Sequence, residues 1–200
     1  MKDAILHLRR QDPILGEIID RVGEYGIQFR DPVFETLVRS IVYQQLSGRV
    51  ASVIYGRLDR AVAGNVTPAS ILKLRPGRMR KLGLSTQKTA YIRDLARHTR
   101  DGVVVFEDLP ALSDGEVIER LTQVKGIGVW TAHMFLMFAL QRADVLPTGD
   151  LGIRTAMRKA YGLKEMPQPA EMERIASCWR PYCSVASWYL WRSLESAAAI

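Results

Sequence analysis

With 200 residues, 48% of them hydrophobic, the chain is long enough to bury a core, either as one large domain or as two helical lobes sharing a groove. Its 28 Lys and Arg against 21 Asp and Glu give a net charge of +7, which favours a polyanionic partner, nucleic acid or an acidic membrane surface. Two cysteines, Cys178 and Cys183, are too few for a four-cysteine metal site or an iron-sulfur cluster built within this chain. The longest apolar run, near Met134 to Leu140, is far short of the roughly 20 residues that cross a bilayer, and the N-terminus lacks a signal-peptide core. A soluble, non-secreted protein with reduced thiols is expected. One basic cluster, Arg75, Arg78, Arg80 and Lys81, reads by itself as a solvated face.

Helix signals follow one another along the chain. Asp12-Pro13, Asp31-Pro32 and Thr67-Pro68 each set a capping oxygen before a proline whose fixed φ suits the first helical position. Ile14, Leu15, Ile18, Ile19 and Val22 then recur at helical spacing, as do Phe34, Leu37, Val38, Ile41 and Val42. A third helix is predicted over about 47–63 with Val50, Val53, Ile54, Leu58 and Val62 inward, and another over about 86–100. Only 102–106 carries a faint strand pattern. Ser113 with Glu116 forms a capping box for a helix ending near Gln123. Further helices are predicted after Gly128, after Asp150, near 170–179 and near 182–194. The fold class is therefore all-α, a compact array of about ten helices.

Between two of these helices lies Val124-Lys125-Gly126-Ile127-Gly128. Two glycines around one aliphatic residue allow a sharp turn with Ile127 plugged into the core, leaving backbone N–H groups at a helix N-terminus. Such a terminus suits a phosphate without reading sequence, although a plain tight turn has the same appearance. Asp150, after Pro147-Thr148-Gly149 and before a helix, reads as an N-cap; Ile153 stands where a capping box would need Glu or Gln.

Leu121-x-x-Val124-Lys125-Gly126-Ile127-Gly128-x-Trp130-Thr131-Ala132, followed by Val145-Leu146-Pro147-Thr148-Gly149-Asp150-Leu151-Gly152-Ile153-Arg154, closely resembles the helix-hairpin-helix, glycine/proline-rich loop and aspartate signature of the base-excision glycosylase superfamily. Within it the chain resembles most the 3-methyladenine DNA glycosylase II family, over about 31–192. The resemblance implies two intertwined lobes in a single unit over 1–200, with a DNA-binding cleft between them. In that scheme 31–110 bears a DNA wedge, 111–165 the hairpin and catalytic aspartate, and 1–30 with 166–200 pack together as the other lobe. It also implies a hydrolase removing alkylated bases (3-methyladenine, 7-methylguanine, with ethenoadenine or hypoxanthine as further candidates) by flipping the nucleotide out of the duplex.

By the same resemblance Asp150 is catalytic, stabilising an oxocarbenium-like sugar and orienting water. Trp130 and Trp191 match pocket aromatics able to bind a cationic base, with Tyr43 and Met134 beside them. Met134 departs from the aromatic found there in some relatives. Leu46 matches the wedge that enters the stack and Gln45 its minor-groove neighbour; periodicity alone reads Leu46 as a buried helix end. Lys125, Gly126, Gly128 and Thr131 are the expected backbone contacts. Carbonyls of Thr122, Val124 and Ile127 match a site for Na+ or K+, with no further cofactor required.

Relatives that also cut the strand carry a lysine two residues after the second hairpin glycine, to form a Schiff base. Trp130 stands there instead, implying a monofunctional enzyme without lyase activity. The expected partner is damaged double-stranded DNA, engaged by a monomer in the bacterial cytoplasm at the nucleoid, or in a eukaryotic nucleus; a membrane is not expected. Two alternatives are a helix-hairpin-helix module that binds DNA without chemistry and a glycosylase for oxidised or mismatched bases.

Overall fold

A computed structural model describes residues 1–196. Residues 197–200, counted in the expected terminal lobe, lie outside the described residues. The elements in chain order are α1 (Lys2–Gln11), α2 (Pro13–Val22), α3 (Phe34–Tyr43), α4 (Gly48–Ala61), α5 (Pro68–Lys73), α6 (Pro76–Lys81), α7 (Thr86–Arg100), α8 (Asp114–Thr122), α9 (Val129–Phe138), α10 (Leu151–Ala160), α11 (Pro169–Ala176) and α12 (Cys183–Ser196). Single 3-10 turns occupy Leu109–Ala111 and Ser177–Trp179, and there is no strand among the described residues. The chain divides into a unit of 1–29 with 141–200 and a unit of 30–140. The segment 111–165 is thus shared out, the hairpin going with 30–140 and Asp150 with the terminal segments. The reason lies in α10, whose inner residues Ile153, Ala156 and Met157 join one core with α2 and α12.

In the terminal unit Leu8, Leu15, Ile18, Ile19, Met157, Met172, Trp179, Tyr189 and Leu190 are all essentially inaccessible. Asp12 does more there than cap α2. Its Oδ1 accepts from the Leu15 N–H at 3.0 Å, while Oδ2 accepts from the Tyr161 hydroxyl at 2.5 Å and the Trp179 indole at 2.7 Å. A buried carboxylate with three donors holds the α1–α2 junction to the end of α10 and to the Ser177–Trp179 turn, and burial with this bond pushes the Tyr161 pKa well up. Ile14, expected inward, is exposed, because the buried stripe runs through Leu15, Ile18 and Ile19.

The 30–140 unit packs α3, α5 and α6 around α7 and α4 against α3, with Phe34, Phe106 and Phe135 stacked edge to face at 6.3 and 6.1 Å. Arg93 on α7 donates to the carbonyls of Ile71, Leu72 and Leu74 at the end of α5, a cation where a helix dipole is negative. Three expectations need correction here. The helix after Asp31-Pro32 starts two residues late, at Phe34 with Val33 as cap, because the Asp31 carbonyl closes a turn with the Val33 N–H and the Thr36 hydroxyl. On α4 the buried face is Ala51, Ile54, Tyr55 and Leu58, so Val50 and Val53 are exposed and Val62 is half-buried. Residues 102–106 form no strand: Val104 and Phe106 are buried in alternation, but the N–H groups of Val103 and Val104 turn back to the His98 carbonyl. The basic cluster lies on a short helix, α6, opened by Pro76.

Candidate active site and nucleic-acid interface

The aspartate lies on a turn built from backbone bonds. The Thr148 N–H reaches the Leu146 carbonyl and the Asp150 N–H the Pro147 carbonyl, each at 2.9 Å, which aims the Asp150 side chain back over the first turn of α10. Its Oδ1 accepts from the Ile153 N–H at 2.8 Å and from the Trp191 indole N–H at 2.8 Å. Asp150 is 8% exposed, and its negative charge sits at the positive end of the α10 dipole. Gly152 lets the indole approach: a Cβ there would meet Asp150 Oδ1 and Trp191 Cδ1 at 3.0 Å. Trp191, expected against the base, therefore also fixes the carboxylate. Further back along the same loop, the Ser184 hydroxyl donates to the Arg142 carbonyl at 2.7 Å and accepts from the Val145 N–H at 3.0 Å. The approach to Asp150 is thus fastened to the start of α12.

The hairpin has the shape its glycines suggest. Val124 and Ile127 are buried, the Ile127 N–H closes on the Val124 carbonyl at 3.1 Å, and Gly126 takes φ +86°. Gly128 caps α9 without a side-chain bond, so the first amides of that helix receive no side-chain acceptor from their cap. Lys125, Gly128 and Trp130 are exposed, and Gly126 is partly so; Thr131 is buried. Trp130 and Met134 share a face of α9 one turn apart, the first exposed and the second half-buried. His133 beside them is half-buried, and burial lowers its pKa, favouring the neutral ring. No group of three or more His, Cys, Asp or Glu suited to a metal ion occurs among the described residues.

The turn between α3 and α4 projects outward. Gln45 adopts φ +56°, a left-handed conformation that costs a non-glycine residue about 1–2 kcal/mol. Leu46 follows it and is 38% exposed, not the buried helix end that periodicity suggests. Tyr43 is half-buried; its hydroxyl accepts from Arg39 at 2.8 Å, and the Arg39 guanidinium lies 4.6 Å from its ring centre.

Beneath the hairpin and this turn runs α7, whose role sequence reasoning missed. Lys88 Nζ donates to the carbonyls of Val42 and Gln44, both at 2.6 Å, closing the end of α3. The Gln44 amide in turn donates to the Gly126 carbonyl at 2.9 Å. The Tyr91 ring packs against Gly126 so closely that a Cβ there would come within 2.1 Å of it. Asp94, 5% exposed, accepts the Lys125 N–H at 2.9 Å. Burial pushes its carboxyl pKa up, but the Lys125 N–H, Arg97 and His98 outweigh that and hold it below the usual range. The available signal was the 88, 91, 94 spacing on one side of α7, a basic, an aromatic and an acidic residue at three-residue intervals on a helix packed in a core.

The description HhH-GPD superfamily base excision DNA repair protein matches residues 38–181, which include the protruding turn, the hairpin and Asp150. The chain belongs to this superfamily. Among HhH-GPD proteins, DNA-3-methyladenine glycosylase 1 of Schizosaccharomyces pombe is 33% identical over 97% of this chain and 88% of its own length. The crystal structure of a DNA-3-methyladenine glycosidase from Bacillus halodurans, 37% identical, superposes with a TM-score of 0.87 over 98% of this chain and 91% of that one. The 3-methyladenine DNA glycosylase of Schizosaccharomyces pombe in complex with abasic DNA, 34% identical, gives 0.83 over 94% and 95%. This HhH-GPD chain carries no helix long and apolar enough to cross a membrane among its described residues.

Proposed function

We propose that the chain is a monofunctional DNA glycosylase of base excision repair, hydrolysing the N-glycosidic bond of alkylated bases in duplex DNA. The observation that carries this reading is the Asp150 carboxylate, buried at the head of α10 with Oδ1 held by the Ile153 N–H and the Trp191 indole. A carboxylate so fixed is arranged in advance to stabilise positive charge developing on a sugar, with little reorganisation when the bond breaks. The substrate class follows from the kinship with 3-methyladenine glycosylases. 3-Methyladenine and 7-methylguanine are cationic in DNA, so the base departs without strong acid help. Ethenoadenine and hypoxanthine are the further candidates.

In this mechanism the hairpin amides and Lys125 hold a phosphate of the damaged strand, and Leu46 enters the minor groove with Gln45 as the nucleotide swings out. Trp130, with Met134 below it and with Tyr43 and Trp191, offers π and thioether surface to the cationic base. As the C1′–N bond lengthens, the electron pair leaves with the base and Asp150 faces the oxocarbenium-like sugar. Water adds at C1′ and gives up its proton through Asp150, yielding free base and an intact strand with an abasic site. The position of a Schiff-base lysine is filled by Trp130, and the exposed Lys125 stands outside that register. The Thr122 carbonyl at the end of α8, with those of Val124 and Ile127 in the hairpin, has the oxygen chemistry for Na+ or K+, which would supply only positive charge beside the phosphate. The enzyme acts as a monomer on damaged duplex DNA, in the nucleoid or nucleus.

Duplexes bearing one methylated, etheno, hypoxanthine or uracil base test the reading. Methylated base should be released, strand cleavage should need alkali, and borohydride should trap no covalent complex. Release of no lesion overturns the glycosylase assignment; a trapped complex overturns monofunctionality.

A further inference from the structure

The loop from Gln141 to Asp150 carries the carboxylate of the proposed reaction, and it contains no helix. Such a connection is mobile unless something holds it. The start of α12 does so. The first amides of a helix have no partner within it, and here the loop supplies two: the Cys183 N–H donates to Asp144 Oδ1 at 3.2 Å and the Ser184 N–H to the Ala143 carbonyl at 2.9 Å. The Ser184 hydroxyl adds its bonds to the Arg142 carbonyl and the Val145 N–H. Arg180 donates to Asp144 Oδ2 at 2.8 Å and to Glu173 on α11 at 2.9 Å. Every residue from Arg142 to Val145 is thus bonded to the stretch 180–184. Gln141, just before them, takes φ +56°, a left-handed conformation that a non-glycine residue keeps only where its surroundings hold it.

The same helix meets the loop a second time, where Trp191 donates to Asp150 Oδ1. Ser184, Ser187 and Trp191 recur at helical spacing on one face of α12, with the first and last about 10 Å apart along it. Asp150 lies five residues beyond Val145, a stretch that reaches about 17 Å when extended. Slack of that size would let the turn at 147–150 swing about the Trp191 bond. Pinning Val145 to Ser184 closes a ring in which one rigid helix sets both ends. Ser187, between the two pins, is fully buried, and its hydroxyl has no hydrogen-bond partner among the described residues. The face therefore carries two buried serine hydroxyls, and the first is the one tied to the loop.

We propose that Ser184 and Asp144 are positioning residues of the reaction, clamping 142–145 to the start of α12 so that Asp150 meets Trp191, further along that helix, in the geometry the sugar requires. The proposal rests on the glycosylase reading of Asp150. Both residues act through the carboxylate. A carboxylate displaced from its place stabilises the developing charge less while the grip on DNA is untouched, so the loss falls on rate.

The test compares kcat and KM for release of 7-methylguanine from duplex DNA by wild type, Ser184→Ala and, as control, Ser187→Ala. Ser184→Ala should lower kcat about tenfold with KM unchanged, short of the roughly 10²-fold that a displacement of 1 Å costs. Ser187→Ala should keep the wild-type rate. In an Asp150→Asn background Ser184→Ala should cost nothing further, because the clamp has no carboxylate left to place. Hydrogen exchange of the Thr148 and Asp150 amides, both bonded within the turn, should quicken in Ser184→Ala and stay as in wild type in Ser187→Ala. Wild-type kcat or unchanged exchange in folded Ser184→Ala overturns the proposal, as does a loss confined to KM or the same tenfold loss repeated on Asp150→Asn. If Ser184→Ala lacks a cooperative melting transition, Asp144→Asn takes its place: the amide oxygen still accepts from the Cys183 N–H, while the charge facing Arg180 is lost. It should lower kcat several-fold and quicken the same amides, and wild-type values of both overturn the proposal. The glycosylase reading fails separately, if wild type binds a duplex with a tetrahydrofuran abasic analogue but releases no base; the exchange comparison then decides alone whether the clamp holds Asp150.

Discussion

The aspartate turn and the hairpin are both helix N-termini, yet they are held in opposite ways. At Asp150 a side chain does the capping, and a second side chain, Trp191, fixes the same oxygen from 41 residues away. At Gly128 no side chain caps, and the turn is instead braced from behind through its backbone, by Asp94 on the Lys125 N–H and Gln44 on the Gly126 carbonyl. One terminus has spent its geometry on presenting a negative charge, the other on leaving amides for a negative charge to approach. The contrast separates chemistry from grip: damage to the first should cost rate with little affinity, and damage to the second affinity and stability.

Asp150→Asn tests the first half and should have the largest effect. The amide oxygen still accepts from Ile153 and Trp191, so the cap survives and stability should change by less than about 1 kcal/mol. The charge opposite the sugar is gone, and base release from methylated duplex should fall by roughly 10²–10⁴-fold at undiminished affinity. Affinity falling along with rate would place Asp150 in binding and erase the distinction.

Asp94→Asn tests the second half, with an expected loss of about 2 kcal/mol in urea unfolding at pH 7 and weaker duplex binding. The folded carboxyl has a pKa below that of the unfolded chain, about 3.9. Folding thus favours its ionised form; the contribution is complete above the unfolded value and is lost as pH falls through the folded one. The stability gap between wild type and variant should therefore be constant at neutral pH and close below about pH 4. A gap that fails to narrow at all as pH falls below the unfolded value would show that shape, not charge, holds the hairpin.

What was legible in the sequence follows the same division between local and distant causes. Asp12-Pro13, Thr67-Pro68 and the Ser113/Glu116 box mark true helix starts because a cap and a fixed φ act within four residues. The hairpin's buried Ile127 and the capping Asp150 were readable for the same reason. Asp31-Pro32 misleads because the Asp31 carbonyl is taken by a turn, and Val50 and Val53 because periodicity gives a stripe without saying which of two adjoining stripes meets a neighbour. The bonds that brace the hairpin, from α7 and from Gln44, join residues 31 to 82 apart, and no local rule links them. Leu46 shows resemblance and spacing in conflict: helical spacing buried it, the family likeness exposed it, and the structure exposes it.

Trp191→Phe gives the smallest effect and the finest distinction, between an indole that stacks on the base and one that holds the aspartate. The phenyl ring keeps an aromatic face over Gly152 but cannot donate to Asp150. If holding matters, kcat falls about tenfold, worth about 1.4 kcal/mol, with KM unchanged. If stacking alone matters, neither parameter moves much. The combination with Asp150→Asn decides further, because an indole acting through the carboxylate has nothing left to act through. The double variant should then release base no more slowly than Asp150→Asn alone, whereas the same tenfold loss repeated on top of Asp150→Asn would show that the indole acts apart from the carboxylate.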